Sequence, residues 1–332
     1  PTLRRRLFVQ STLAAALLPA AWARANPCRG PQPEPEGELP RSPFGAASTA
    51  EEVTDGLDLS GKHVVVTGCN SGLGLETMRV LASHGAHVIG TARTAEKAER
   101  ACAGVKGTTT PMVLELASFD SIHQCSREIN ALDIPLDILM CNAGVMALPE
   151  LQLVNGVEAQ FAINHLGHFL FTNNLLSAVR KAQQARIVMV SSCAHFGAPE
   201  GGIEFDNLDG SRSYAPWPAY GQSKLANGLF AAELSRRLAG SGITANSLHP
   251  GVIKTNLGRH LPPRDDKEDE TSIYDKSIPQ GAATQCYVAA HPTPANISGQ
   301  YFVDCNPAVG SPYLYDEALA RELWSVSEKL TS

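Results

Sequence analysis

A tyrosine and a lysine four residues apart, Tyr220 and Lys224, lie within AYGQSKLANGLFAAELSRRL, whose apolar residues recur with helical period. That spacing puts both side chains on one helical face. A phenol is a poor base at neutral pH, and an ammonium held beside it favours the phenolate, so the pair is a candidate proton donor and acceptor. Upstream, a β-branched run ends in Val190-Ser191-Ser192-Cys193. As a strand of a parallel sheet it delivers Ser192 to the carboxyl edge, where ligands bind and a hydroxyl can hold a carbonyl oxygen. Asn164, amid the apolar residues of AQFAINHLGHFLFTNNLL, either satisfies its own core or holds a water in a proton relay from Lys224. Its surroundings alone favour the core role.

A partner for this chemistry needs a cradle. The run HVVVT leads into Thr67-Gly68-Cys69-Asn70-Ser71-Gly72-Leu73-Gly74 and then into LETMRVLASHG, a glycine-rich turn between a strand and a helix start. Glycines let a backbone approach a pyrophosphate, and the free N–H groups and dipole of the helix start favour its charge. The spacing is TGxxxGxG rather than GxGxxG, and a plain tight turn is the alternative until its context agrees. At the end of the second strand, where an acidic residue would take the ribose hydroxyls of NAD, the sequence reads Gly90-Thr91-Ala92-Arg93. A cation there favours a 2′-phosphate, and so NADP in preference to NAD; a solvated surface arginine is the alternative. Glu115 and Leu116, ending the third strand, are expected at the adenine edge.

The elements that must position these residues follow from the pattern. Short β-branched runs alternate with helical segments from about Leu57, which predicts an α/β fold: a doubly wound, parallel, seven-stranded sheet in a single domain. The strands are expected at His63–Thr67, His87–Thr91, Pro111–Leu116, Leu136–Cys141, Arg186–Ser191, Thr244–Leu248 and Gln300–Val303. With 332 residues, 43% hydrophobic and 18% charged, the chain can bury a full core, and a formal charge of −6 provides no field for nucleic acid.

Residues 1–25 differ from the rest. Arg4, Arg5 and Arg6 precede an apolar run from Ser11 to Ala23 that ends in small-x-small triplets, the layout of a signal peptide, and Arg5-Arg6-Leu7-Phe8-Val9-Gln10 fits a twin-arginine export signal. The expectation is periplasmic export; an organelle-targeting peptide, a short anchor or a cytoplasmic chain are the alternatives. Residues 26–56, opening with the Pro-, Gly- and charge-rich NPCRGPQPEPEGELPRSP, are expected to be a linker and 57–332 the domain. No membrane span is expected in that body. Eight cysteines form no CxxC pair and no Cys/His cluster, which predicts neither a metal site nor an essential disulfide. A chain free of disulfides argues in turn against an oxidising periplasm.

From Leu57 to Leu257, and more loosely to Leu330, the sequence resembles the short-chain dehydrogenases/reductases. The resemblance is carried by the turn at Thr67 to Gly74, Cys141-Asn142-Ala143-Gly144 in place of NNAG, the NHLGHF segment at Asn164, the strand end at Ser192, and Tyr220-x-x-x-Lys224 followed by His249-Pro250-Gly251. It implies a catalytic tetrad of Asn164, Ser192, Tyr220 and Lys224. It further implies cofactor contacts from Thr67, Gly68, Asn70, Ser71, Gly72, Leu73, Gly74, Asn142, Ala143, Gly144, Pro250, Gly251, Val252 and Thr255. FAINHLGHFLFT, ELSRRLAGSGIT and HPGVIKTNL are similar to the retinol-dehydrogenase and WW-domain-oxidoreductase branch. Cys141 for asparagine and Glu115 for aspartate are the departures.

The resemblance implies an NADP(H)-dependent oxidoreductase acting on an aldehyde, ketone or alcohol, and a homodimer formed through the helices carrying Asn164 and Tyr220. A dinucleotide-binding sensor or scaffold is the competing class. The loop 197–218, with Tyr214 and Trp217, and the polar segment 258–277 are expected to bound the substrate.

Overall fold

The computed structural model describes residues 39–261 and 276–332. Three strands show how the sequence fixes the layers: β1 (His63–Val66), β4 (Ile138–Cys141) and β5 (Ala185–Val190). Because side chains alternate along a strand, Val64, Val66, Ile138, Met140, Val188 and Val190 enter one core. Val65, Leu139, Cys141, Ile187 and Met189 enter the other. Both faces are thus covered, and the strands read as continuous apolar runs.

The remaining strands are β2 (His87–Ala92), β3 (Thr108–Val113), β6 (Ile243–His249), β7 (Tyr301–Val303) and β8 (Asn306–Pro307). The sheet order is β8-β7-β6-β5-β4-β1-β2-β3. All neighbours are parallel except β7 and β8. The doubly wound parallel sheet is therefore the one expected, with an antiparallel eighth strand added at its edge. The chain reverses between β1 and β4, which opens the crevice where such folds bind ligands.

α1 (Gly72–Ser83), α2 (Ala95–Ala103) and α6 (Ile278–Ala290) cover the first face. α3 (Phe119–Ala131), α4 and α5 (Pro216–Arg237) cover the second. α4 is composite: an α-turn at Ala159–Phe161, a π-helical stretch at Ala162–Leu166, and α-helix again at Gly167–Val179. α7 (Glu317–Thr331) lies outside α4 and α5. Trp324 packs 5.0 Å from Phe169 and 5.6 Å from Phe230, and the Arg237 guanidinium sits 3.9 Å above the indole. A helix of the same chain thus packs on part of the face on which the homodimer was expected.

Two expectations need correction. β3 starts and ends three positions earlier than expected, because Thr108–Thr110 are polar and an apolar criterion passes over them. On a half-exposed edge strand threonine and Pro111 are both acceptable. Residues 42–54, expected in the linker, pack on the domain. The Ser42 hydroxyl donates to the Cys305 carbonyl (2.9 Å), Phe44 meets Tyr287 edge-on at 6.0 Å, and Ala50 and Val53 are buried. These isolated apolar residues have no period to reveal them; they fill a gap beside α6 and α1. The signal expectation for 1–25 and the linker up to residue 38 lie outside the described residues, as does 262–275 of the polar segment. Among the described residues no helix is long and apolar enough to cross a membrane.

Candidate active site

The strand-to-helix turn after β1 is built around a close approach. A Cβ on Gly74 would fall 2.4 Å from the Gly68 carbonyl oxygen and 2.5 Å from Asn142 Nδ2, so only glycine lets α1 start here. Gly68 adopts φ +73°, which L side chains avoid. Ser71, the residue before α1, makes no side-chain cap, leaving the N–H groups of the first turn for a ligand. Thr67 ties this turn to the segment after β4: its Oγ1 accepts from the N–H of Asn142 and of Ala143, both at 2.9 Å.

With two bonds accepted, the Thr67 hydroxyl spends its proton on His168 Nε2, 2.9 Å away. His168 therefore carries its proton on Nδ1 and donates it to the Asn164 carbonyl at 2.9 Å. Burial holds this imidazole neutral, with a pKa lowered to about 4. The cradle and the π-helical stretch carrying Asn164 are thus joined through one side chain, which the sequence reading passed over. Its place in NHLGHF, one helical turn after Asn164, was the available signal.

Asn164 itself is fully buried. Its Oδ1 accepts from the Val145 N–H (2.8 Å), and its Nδ2 donates to the Val145 carbonyl (2.9 Å) and to Ser223 Oγ (2.9 Å). The amide clamps the loop after β4 to α5, the core role its surroundings favoured.

α5 delivers Tyr220 and Lys224 to the end of β5. Ser191 Oγ donates to the Lys224 carbonyl (2.6 Å), and Lys224 Nζ donates to the Val190 carbonyl (2.9 Å). Ser192 Oγ accepts from the Ala194 N–H at 3.1 Å. It also hydrogen-bonds the Tyr220 phenol. Burial dominates on Tyr220 and raises its pKa; the Ser192 bond lowers it by less. The Lys224 ammonium is held on the Val190 carbonyl, and on Tyr220 burial wins, so the phenol is raised rather than pushed toward the phenolate. Burial brings Lys224 itself down to about 8.

A cleft of about 1040 Å³ gathers the site. Its walls include Thr67, Gly68, Asn70, Ser71, Gly72, Leu73, Arg93, Glu115, Leu116, Asn142, Ala143 and Gly144. Ser192, Tyr220, Lys224, Pro250, Gly251, Val252 and Thr255 complete the sequence-predicted set. Gly74 and Asn164 stand behind the wall. Glu115 uses its carboxylate on the Ala117 N–H (3.1 Å). Lys97, Arg100 and Arg259 also line the cleft with Arg93, and none was singled out from sequence. Arg93 lies close enough to Arg259 to add to the effect of burial in lowering its pKa. Trp217 borders the cleft as expected. Tyr214 instead turns away and donates to the Leu148 carbonyl at 2.5 Å.

Cys193, next to Ser192, is disulfide-bonded, where the sequence pointed to no essential disulfide. Pair motifs in sequence do not report the Cα proximity that sets a disulfide. Cys69, Cys102, Cys125, Cys141, Cys286 and Cys305 are buried free thiols.

The chain is 42% identical to the short-chain dehydrogenase TIC 32 B, chloroplastic, of Brassica napus, covering 89% of this chain and 96% of the relative. It is 38% identical to retinol dehydrogenase 14 of Mus musculus, covering 96% of each. A crystal structure of a putative uncharacterized protein from Mycobacterium paratuberculosis superposes with a TM-score of 0.69 at 35% identity, over 84% of this chain and 96% of that one. The family model for short chain dehydrogenases matches residues 62–266, the stretch that holds the cradle, Asn164, Ser192, Tyr220 and Lys224. By sequence, sheet order and site alike, the chain belongs to the short-chain dehydrogenase/reductase family.

Proposed function

We propose that this chain is an NADP(H)-dependent oxidoreductase interconverting a carbonyl and an alcohol, with Tyr220 as the proton donor and acceptor. The observation that carries the reading is that Ser192, Tyr220 and Lys224 line the same cleft as the glycine turn at the start of α1. A dinucleotide fits that turn: Gly74 lets α1 start hard against the Gly68 carbonyl, and the uncapped N–H groups of α1 suit the charge of a pyrophosphate. When bound, the cofactor supplies or takes the hydride. Arg93, Lys97, Arg100 and Arg259 give one stretch of the wall a strongly cationic character, which favours a 2′-phosphate and so NADP.

Ser192 donates to the substrate oxygen and holds it beside the phenol. Tyr220, kept neutral by burial, is poised to give its proton to that oxygen, which suits the reductive direction. Lys224 presents its remaining N–H donors to the cleft, where ribose hydroxyls can accept them. Substrates are expected among aldehydes, ketones and secondary alcohols. Following NADPH oxidation over a panel of aldehydes and ketones, with Tyr220→Phe as the control, tests the proposal. Turnover lost in the variant while NADPH still binds supports an enzyme; no turnover by the wild type on any member rejects it in favour of a sensor or scaffold.

The export expectation rests on residues 1–25. The relative named as chloroplastic favours delivery to an organelle among the alternatives. A fluorescent fusion with and without those residues distinguishes the two.

A further inference from the structure

We infer that His195, which does not border the cleft, is a positioning residue for this reaction: it fixes the Ser192 backbone and ties it to the C-terminal segment at Ser311. The inference rests on the reading of Ser192 as the residue that holds the substrate oxygen.

His195 lies in the 3₁₀ helix Cys193–Gly197 that begins directly after Ser192, and it is fully buried. Nε2 is 2.8 Å from the Ser311 nitrogen and Nδ1 is 2.6 Å from the Ser192 carbonyl oxygen. A backbone N–H can only donate, so Nε2 is the acceptor. The neutral ring then has its proton on Nδ1, and a carbonyl can only accept it. Every proton in the chain from Ser311 through His195 to Ser192 is thereby assigned. Burial keeps the ring in this neutral form, with a pKa lowered to about 4.

The ring has no freedom to swing. Phe196 stacks on it at 4.4 Å, and Tyr301 of β7 meets it edge-on at 4.9 Å. The C-terminal segment is pressed against it, since a Cβ on Gly310 would fall 3.0 Å from Nε2 and 2.2 Å from Leu314 Cδ1. Ser192 Oγ is held by the Ala194 N–H of the same short helix, so the hydroxyl turns with its own peptide plane. The Ser192 carbonyl also accepts the His195 backbone N–H at 3.1 Å, and the shorter imidazole bond, added to it, sets the tilt of that peptide and with it where the hydroxyl sits relative to Tyr220. Displacements of about 1 Å in such a group cost on the order of a hundredfold in rate.

Two amides separate the two ends of the crossbar. His195→Asn keeps a short N–H donor at the place of Nδ1, facing Ser192. His195→Gln keeps an acceptor at the place of Nε2, facing Ser311, and loses the side-chain bond to Ser192 while the backbone bond remains. Both are measured in the full chain for kcat, KM, NADPH affinity by fluorescence, and Tm. The expected result is a kcat for the Asn variant within about fivefold of wild type and for the Gln variant lower by about thirtyfold or more. NADPH affinity should stay within about threefold in each. Equal kcat in the two variants, whether both high or both low, overturns the inference, as does a kcat loss that follows Tm. A wild type that turns over no carbonyl compound with NADPH rejects the enzymatic reading itself, which is a different outcome.

Discussion

Lys224 holds its ammonium 2.9 Å from the carbonyl of Val190, and the same Nζ lies 5.7 Å from the centroid of the Tyr220 ring. The lysine is thus anchored to the last residue of β5 and not to the phenol it was expected to activate. Burial then has the larger say on both groups, raising Tyr220 and lowering Lys224 to about 8. Lys224 is charged below that value and neutral above it, so carbonyl reduction should be flat through neutrality and decline as pH rises past 8. A pH–rate profile of kcat/KM checks this, and Lys224→Met should lower kcat/KM by about a hundredfold or more and remove the alkaline limb.

Arg93 and Arg259 line one cleft, and the charge on Arg93 raises the cost of the one on Arg259. An anion between them relieves that repulsion. Arg93→Asp should weaken NADPH relative to NADH by about ten- to a hundredfold, since a charge-assisted bond is worth about 1.5 to 3 kcal/mol. Arg259→Gln should act in the same direction and less strongly. Fluorescence titrations with both dinucleotides measure the ratio, and an unchanged ratio in both variants excludes the assignment.

Gly74→Ala places a methyl 2.4 Å from the Gly68 carbonyl, so the cradle must open for the helix to start. The expected cost is about 1 to 3 kcal/mol of stability, with dinucleotide affinity falling at the same time. Denaturant unfolding together with NADPH titration reads both effects.

Trp324 closes the face of α4 and α5 against Phe169, Phe230 and Arg237. The chain should therefore run as a monomer in light scattering, with no dimer through that face. Trp324→Ala should cost about 3 to 5 kcal/mol, and removal of residues 317–332 should expose the apolar face and produce dimers or aggregates.

Four histidines are buried in neutral form. Burial is the leading cause in each, lowering His165 and His249 to about 3 and His168 and His195 to about 4. In the unfolded chain they titrate at about 6.5, so between that pH and 4 the unfolded state binds more protons than the folded one. Stability is then complete above about pH 6.5 and is lost as pH falls toward 4. By pH 5 each histidine should account for about 2 kcal/mol of that loss, and Tm measured from pH 7 to 5 should drop accordingly. A flat Tm would contradict neutral burial.

The sequence by itself was enough for those features that depend on local spacing. Unbroken apolar runs in β1, β4 and β5 pointed to two covered faces, and a four-residue interval put Tyr220 and Lys224 on one side of α5. The glycines of the cradle were legible from their TGxxxGxG spacing between a strand and a helix start. Polar edge residues such as Thr108–Thr110, and single apolar residues such as Phe44 and Val53, carry no period and stayed hidden.

Only the tertiary structure decided what depends on distance across the fold. His168 meets Thr67, His195 meets Ser311, and Arg259 nears Arg93, each across a long stretch of chain. The same holds for the balance on Tyr220. A lysine four residues away predicts a lowered phenol, yet the depth of burial and the Val190 carbonyl decide where the charge is held. Spacing along a helix states which groups can meet, whereas desolvation and competing acceptors come from neighbours that only the folded chain brings together.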